Sequence, residues 1–264
     1  MERATLPGGR EVDVERVTLV DSTNRLARAR IEREGIDAPR VIVAREQSGG
    51  YGRHGRAWHS PPGGLWMSLA WPCAAEATAG VRVGAAAWSA IRRALAESVT
   101  QDPPAAAVER RVRLKWPNDV LIDAQKVCGC LCERVAPGLG APGVAPDGWL
   151  IVGVGVNVNN DPGALPTGLR RPATSLGHCA GRAMDLDRVL VVLLEELAER
   201  LTGPVSASIA MAALALARLE EIIDVALPGG GTARGRLMGL SDDGRLVLHH
   251  DGRRTVAPLG AEIL

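Results

Sequence analysis

The sequence predicts an α+β protein with one large domain followed by a small C-terminal β-barrel. Three observations predict it. The 264 residues suffice for one large domain and one small one. Up to Leu219, apolar runs of strand length alternate with segments carrying apolar residues at helical spacing. From Ile222 onward the pattern becomes short strands separated by glycine turns, which reads as a five-stranded barrel. The boundary is placed near Leu219, which divides the chain into residues 1–219 and 220–264.

In chain order, Val17–Val20 reads as a strand and is followed by Asp21-Ser22-Thr23-Asn24. A helix carrying Leu26, Ala29 and Ile31 then ends near Gly35. Ser22 or Thr23 suits a helix N-cap. Capping does not need four consecutive small polar side chains, and such a cluster can also present hydrogen-bonding groups to a ligand. Val41–Ala44 and Leu65–Trp71 read as strands, with a turn at Ser60-Pro61-Pro62-Gly63-Gly64 before the second. Gly80–Val99 carries Val83, Ala87, Ile91 and Leu95 on one helical face. Gln101–Ala107 is a proline and alanine loop, and Pro137–Gly148 is a long glycine- and proline-rich one. Trp149–Val158 is a nearly continuous apolar run, a strand buried on both faces. Asp185 caps a helix running to about Leu201, and a second helix spans Ser206–Leu219.

The stretch Gln47–Trp58 joins two of these strands and holds four glycines, Arg53, Arg56, His54 and the chain's single tyrosine, Tyr51. Glycine admits close backbone approach, and arginine offers forked donors for carboxylate or phosphate. The pattern fits a loop closing over an anion, and equally an exposed hairpin with solvated arginines. Lys115-Trp116-Pro117-Asn118-Asp119 interrupts a strand-like run; Asn-Asp after proline is an ordinary turn signal, but a turn does not require the lysine and tryptophan. Lys126–Val135 reads as a strand on which Cys128, Cys130 and Cys132 alternate. Their spacing is unlike that of zinc sites, so they are expected as small side chains along a pocket wall, with Lys126 on the same face. A lysine facing inward needs an anion unless its end reaches solvent. Gly153 and Gly155 suggest close backbone approach, and Asn157 is the polar group ending that run.

Thirty-one basic against thirty acidic residues leave a formal charge of +1, so no single-sign field draws the whole protein to nucleic acid or membrane. With no Phe, six Trp and aliphatic side chains must fill the core. No signal peptide and no apolar stretch of membrane-spanning length are read. Five cysteines without an export signal fit reduced thiols in the cytoplasm.

Four pieces therefore stand in fixed order: Asp21–Asn24, Gln47–Trp58, Lys115–Val120 and Lys126–Glu133. With Gly153–Asn157 and the terminal barrel, the chain resembles the biotin–protein ligases, the biotin–[acetyl-CoA-carboxylase] ligases, from Val17 to Leu264. The resemblance is to the short form, since the first twenty or so residues cannot hold a winged helix-turn-helix. It implies a mixed sheet with flanking helices, like the class II aminoacyl-tRNA synthetases, plus a Src-homology-3-like barrel. The implied activity is ATP-dependent and AMP-forming. Biotin and ATP give biotinyl-5′-AMP, and biotin then passes to a lysine of the biotin carboxyl carrier domain of acetyl-CoA carboxylase or a related acyl-CoA carboxylase.

By the same resemblance, Lys126 and Arg53 are the catalytic cations. Ser22, Thr23, Asn24 and Gln47 hold the biotin ring end, and Tyr51, Gly52, Arg53 and Lys126 complete the biotin site. Arg53, His54, Arg56, Trp58, Asn118 and Asn157 serve ATP and the adenylate, and Asp119 helps hold Mg²⁺. ATP with Mg²⁺ and biotin are substrates, and no tightly bound prosthetic group is expected. Neither DNA nor membrane is an expected partner, and the protein is expected as a monomer or homodimer. One departure matters: the family usually reads Gly-Arg-Gly-Arg where this chain has Gly50-Tyr51-Gly52-Arg53, so one cation is missing, with weaker phosphate affinity or adenylate retention as the expected result. Two alternatives remain, a lipoate or octanoate ligase or transferase of the same fold, and a non-catalytic biotin-binding adaptor.

Overall fold

The computed structural model describes residues 2–73, 77–98, 111–136, 145–164, 172–258 and 260–264. Eight strands form one mixed sheet: β1 (Glu2–Leu6), β2 (Arg10–Val20), β3 (Arg40–Gln47), β4 (Leu65–Pro72), β5 (Val112–Lys115), β6 (Asp119–Ile122), β7 (Gln125–Val135) and β8 (Trp149–Val156). Their order across the sheet is β1-β2-β3-β4-β8-β7-β6-β5. β2 and β3 run parallel, joined by helix α1 (Thr23–Glu34), and the other neighbours are antiparallel.

Strand alternation sorts this sheet into two faces. Leu65, Met67, Leu69, Val152, Val154 and Val156 share a core with helix α2 (Ala79–Glu97) and the later helix spanning Leu186–Thr202. Trp149, Ile151, Ile42 and Ala70 instead meet Ala27 and Ile31 of α1. Trp66, Trp71 and Trp149 are among the largest fully buried side chains, which is how the chain fills its interior without phenylalanine.

Helix α3 is a short turn at Leu176–Ala180, α4 is Leu186–Thr202 and α5 is Val205–Ala215. Asp185 caps α4 as expected, accepting from the amides of Asp187 and Arg188. A second, antiparallel sheet follows: β9 (Ile222–Ala226), β10 (Thr232–Leu240), β11 (Leu246–His250), β12 (Arg253–Val256) and β13 (Glu262–Ile263), in the order β12-β11-β10-β9-β13. This five-stranded unit is consistent with the Src-homology-3-like barrel. Its apolar face (Ile223, Val225, Leu237, Leu246, Leu248) packs on Val81 and Ala85 of α2, on Trp116 and on Ala212 and Ala215 of α5. Among the described residues, no helix is long and apolar enough to cross a membrane.

Two segments depart from the sequence reading. Residues 2–16 form a hairpin that the reading did not anticipate, with Leu6, Val12 and Val14 buried and Arg3 paired to Glu11 and Asp13 across it. Dense charge hides its two-residue alternation. The helix expected to reach Leu219 ends at Ala215 instead. There Leu216 bridges Leu114 in parallel, and the Ala217 amide donates to Leu114 O at 2.8 Å, so the chain covers the free edge of β5. The loop expected at Gln101–Ala107 and residues 137–144 of the loop expected at Pro137–Gly148 lie outside the described residues.

Two glycines of α2 separate packing from propensity. A β-carbon on Gly84 would collide with Pro117 O, whereas one on Gly80 meets nothing within 4 Å. Gly84→Ala should therefore lower unfolding free energy by about 1–3 kcal/mol, and Gly80→Ala should leave it unchanged or raise it by up to about 1 kcal/mol. Urea denaturation of both variants checks this.

Candidate active site

A cavity of about 660 Å³ opens on the α1 side of the large sheet, within the usual size for ligand sites. Its floor is bare. Gly129 of β7 pairs with Gly155 of β8, and Leu131 with Gly153. A β-carbon on Gly153 would run into the Asn24 amide, and one on Gly155 into the Trp58 indole. These positions need glycine because side chains from elsewhere lie flat on the strands.

At one end lies the polar cluster following β2. Ser22 occupies the N-cap position of α1 but makes no side-chain capping bond, so capping does not explain the cluster. The Thr23 amide donates to Gln47 Oε1 at 2.8 Å, and the Thr23 hydroxyl donates to the same oxygen at 3.1 Å. Gln47 Nε2 donates to Ser60 Oγ at 2.7 Å. The Ser68 hydroxyl sits between Asn24 Oδ1 (2.5 Å) and Thr23 Oγ1 (2.7 Å). Asn24 Nδ2 donates to Glu133 Oε2 at 2.6 Å. Ser22, Thr23, Asn24, Ser60 and Ser68 are buried, so this is a preorganised polar network rather than a solvated surface.

At the other end stands Lys126. Its Nζ is 2.8 Å from Asp119 Oδ1 and 5.0 Å from the Trp58 ring centroid. The position of Lys126 corrects the sequence reading of β7. Lys126 pairs with Leu121 and Cys128 with Val120, leaving Val127 as a bulge between them. The bulge shifts parity, so Lys126 faces the cavity while Cys128 and Cys130 are buried in the α2 core. The cavity wall is Gly129 and Leu131, and of the three cysteines expected along it Cys130 alone borders the cavity. The Cys130 thiol is pushed well up by its hydrogen bond with Cys128 and by burial, and burial likewise raises that of Cys132, so both behave as inert core groups.

The structure accounts for Lys115–Asp119 residue by residue. Lys115 lines the cavity. Trp116 is buried and donates its indole N–H to Gly244 O at 2.8 Å, fastening the second sheet to the first. The cis Trp116–Pro117 bond lies in the turn between β5 and β6. Asn118 Nδ2 donates to Cys130 O at 2.5 Å, and Asp119 meets Lys126.

The glycine–arginine loop folds over the cavity as a hairpin. Gly52 N donates to Arg56 O (2.8 Å) and Trp58 N to Gly50 O (2.9 Å). Arg53 Nη2 (3.5 Å) and His54 Nε2 (2.9 Å) approach Glu262 Oε1, and Arg56 Nη2 lies 2.9 Å from Glu262 Oε2. Burial alone would raise the Glu262 pKa, but the hydrogen bond from Arg56 and the charges of Arg53 and Arg56 hold it below the ordinary glutamate value.

Of the site residues expected from sequence, Ser22, Thr23, Asn24, Gln47, Tyr51, Gly52, Arg53, Arg56, Trp58, Asn118, Asp119, Lys126 and Asn157 all line this cavity. His54 does not; it is exposed on the outer side of the loop. Asn157 is buried with Oδ1 accepting from Asn160 at 3.0 Å. Among the described residues there is no group of three or more His, Cys, Asp or Glu side chains that could hold a metal ion. Sequence reasoning assigned nothing to Ser60, Ser68, Glu133 or Glu262. The two serines have no local signal, and Glu262 lies 206 residues beyond Arg56. Glu133 could have been found once the bulge at Val127 was known.

The chain that builds this bare-floored cavity, with a polar cluster at one end and a lysine–arginine group at the other, matches the biotin/lipoate A/B protein ligase family over residues 17–145. The chain is 35% identical over 244 residues to the biotin–[acetyl-CoA-carboxylase] ligase of Paracoccus denitrificans, spanning 90% of this chain and 95% of that one. It is 32% identical over 258 residues to the enzyme of the same name from Mycobacterium tuberculosis, spanning 96% and 88%. The biotin protein ligase of Aquifex aeolicus, solved with biotin and ATP, superposes with a TM-score of 0.72 at 25% identity over 96% of this chain and 97% of that one. The chain belongs to the biotin–[acetyl-CoA-carboxylase] ligase family.

Gly155→Ala should displace Trp58 from the floor without unfolding the sheet. Expected outcomes are a red-shifted tryptophan emission and a weaker affinity for biotin in calorimetry, with far-ultraviolet circular dichroism unchanged.

Proposed function

We infer that this chain joins biotin to ATP and then transfers it to a lysine of a biotin carboxyl carrier domain. One observation carries this reading: a single cavity holds the Ser22–Asn24 and Gln47 cluster at one end and Lys126 with Arg53 at the other. Biotin has the matching polarity, a ureido ring at one end and a carboxylate at the other. Relatives at 35% and 32% identity that are named as biotin ligases leave the lipoate and adaptor readings unsupported.

In the first step a biotin carboxylate oxygen attacks the α-phosphorus of ATP, and pyrophosphate leaves. Both reactants are anions, so positive charge at their meeting point lowers the barrier. Lys126 supplies it, aimed by Asp119 and kept against Trp58. Arg53 and Arg56 take the phosphates when these displace the Glu262 carboxylate, and His54 adds to that rim from outside. Asn118 and Asn157 border the adenosine. Magnesium arrives with ATP as part of the substrate. Asp119 is the cavity carboxylate beside Lys126, and one carboxylate suits an ion that keeps its waters and phosphate oxygens. The closed loop shields the anhydride from water. In the second step a carrier lysine amine attacks the acyl carbon, and AMP leaves.

Residues 1–219 form the catalytic body and 220–264 the small domain, which reaches the cavity through Glu262 and fastens to it through Trp116. The five cysteines, none of them in a disulfide, suit a reducing compartment, the cytoplasm.

Lys126→Ala should slow biotin-dependent pyrophosphate release from MgATP by about 10²–10³-fold, with circular dichroism unchanged. Wild-type rates in that variant would remove Lys126 from the mechanism. Run with a purified carrier domain, the wild-type protein should add one biotin to one carrier lysine, read by mass; pyrophosphate release without mass gain would sink the transfer step.

A further inference from the structure

Where the family's usual pattern puts an arginine, Tyr51 does not stand in for a cation at the phosphates. Its hydroxyl donates to Glu133 Oε2 at 2.8 Å, the same oxygen that accepts from Asn24 at 2.6 Å. The Lys126 ammonium lies over Gly129, and Glu133 is four positions further along β7, which is about 13 Å of extended chain. The phenol therefore acts at the Asn24 end of the cavity, out of contact with the Lys126 ammonium.

The rest of the ring is held as well. The Arg25 guanidinium lies 4.8 Å from the Tyr51 ring centroid, a cation–π distance. Arg25 is itself paired with Asp21, whose carbonyl accepts from Gly49 N at 2.8 Å. The loop is a hairpin bonded to itself at Gly50–Trp58 and Gly52–Arg56. Such a hairpin can swing as a unit about its base, where Trp58 packs on Gly129 and beside Lys126; beyond that base, Tyr51 ties it to Glu133 of β7. Burial and the bond to Glu133 push the phenol pKa up to about 12, so it remains a donor at neutral pH.

We propose that Tyr51 is a positioning residue that latches the glycine–arginine loop shut over the polar end of the cavity before any ligand binds, acting through Glu133. The proposal rests on the biotin-ligase reading only for which substrate end lies there. The latch couples loop closure to retention of the biotin ring and leaves ATP affinity to the separate cluster around Glu262.

Amide hydrogen exchange on the ligand-free protein tests it first. Tyr51→Phe keeps the ring and its Arg25 contact but removes the bond to Glu133. Exchange at Ser48 and Gly49, whose amides bond outside the hairpin to Val20 O and Asp21 O, should accelerate roughly tenfold, the low end for a bond to a charged group. Glu133→Gln should show an effect of the same kind, and the double variant no more than the larger single one. Biotin dissociation and the KM for biotin should rise by a similar factor in Tyr51→Phe, with the KM for ATP unchanged. Unaltered exchange in Tyr51→Phe, additive effects in the double variant, or an equal rise in both KM values would each overturn the latch. Wild-type protein that shows no biotin-dependent pyrophosphate release would instead overturn the ligase reading, while the ligand-free exchange result stands on its own.

Discussion

The site depends on a patch of sheet without side chains. Gly129, Gly153 and Gly155 lie on adjacent central strands and face the same way. Glycine inside a strand weakens it, and here that weakness is offset by the opposite face, where Cys128, Cys130, Val152, Val154 and Val156 pack under α2. One face supplies cohesion so that the other can be hollow. Trp58 and Asn24 lie on the bare backbone, and each then carries a polar group to a fixed place: the Trp58 ring sits beside the Lys126 ammonium, and the Asn24 amide between Ser68 and Glu133.

The charges follow from that geometry. A cavity that receives two anionic substrates must hold cations, and unpaired cations near a low-dielectric wall are costly. The chain pairs them internally: Lys126 with Asp119, and Arg53 and Arg56 with Glu262. Each pair is partly exposed and so contributes little to stability, but each keeps its cation oriented. On the proposed reading, an incoming phosphate exchanges one anion for another without first building the site. The second sheet is part of this arrangement through β13, which is why a two-residue strand near the chain's end bears on the Arg53 and Arg56 end of the cavity.

How much of this was legible in the sequence differs by residue. The glycine loop, Lys115–Asp119, Lys126 and the Ser22–Asn24 cluster are local patterns, and their residues line one cavity. The helix faces of α2 and α4 and the fully apolar β8 were legible because hydrophobic period reports burial directly. The face of β7 was not. Strict alternation from Lys126 puts it with the cysteines, and one bulged residue at Val127 reverses that, a backbone event with no compositional mark. Glu262 was illegible for a different reason. A glutamate near the end of a short strand is ordinary, and its meaning lies wholly in Arg53, His54 and Arg56, more than two hundred residues earlier. The tyrosine in place of an arginine was legible as a departure, but its sense was not, since only the fold reveals that Glu133 and Arg25 receive it.

Two carboxylates from different elements thus hold one loop, and they do so by unlike physics. Glu262 meets cations, an attraction that salt screens and that a competing polyphosphate can replace. Glu133 meets a phenol and an amide, neutral donors whose bonds depend on geometry and desolvation more than on ionic strength. An arginine at residue 51 would make both attachments electrostatic, and phosphate would compete at each. With tyrosine there, the end of the loop nearest Asn24 is insulated from the exchange of anions at the other end. Retention of one substrate and turnover of the other can then be set separately on a loop of only ten residues, from Gly49 to Trp58.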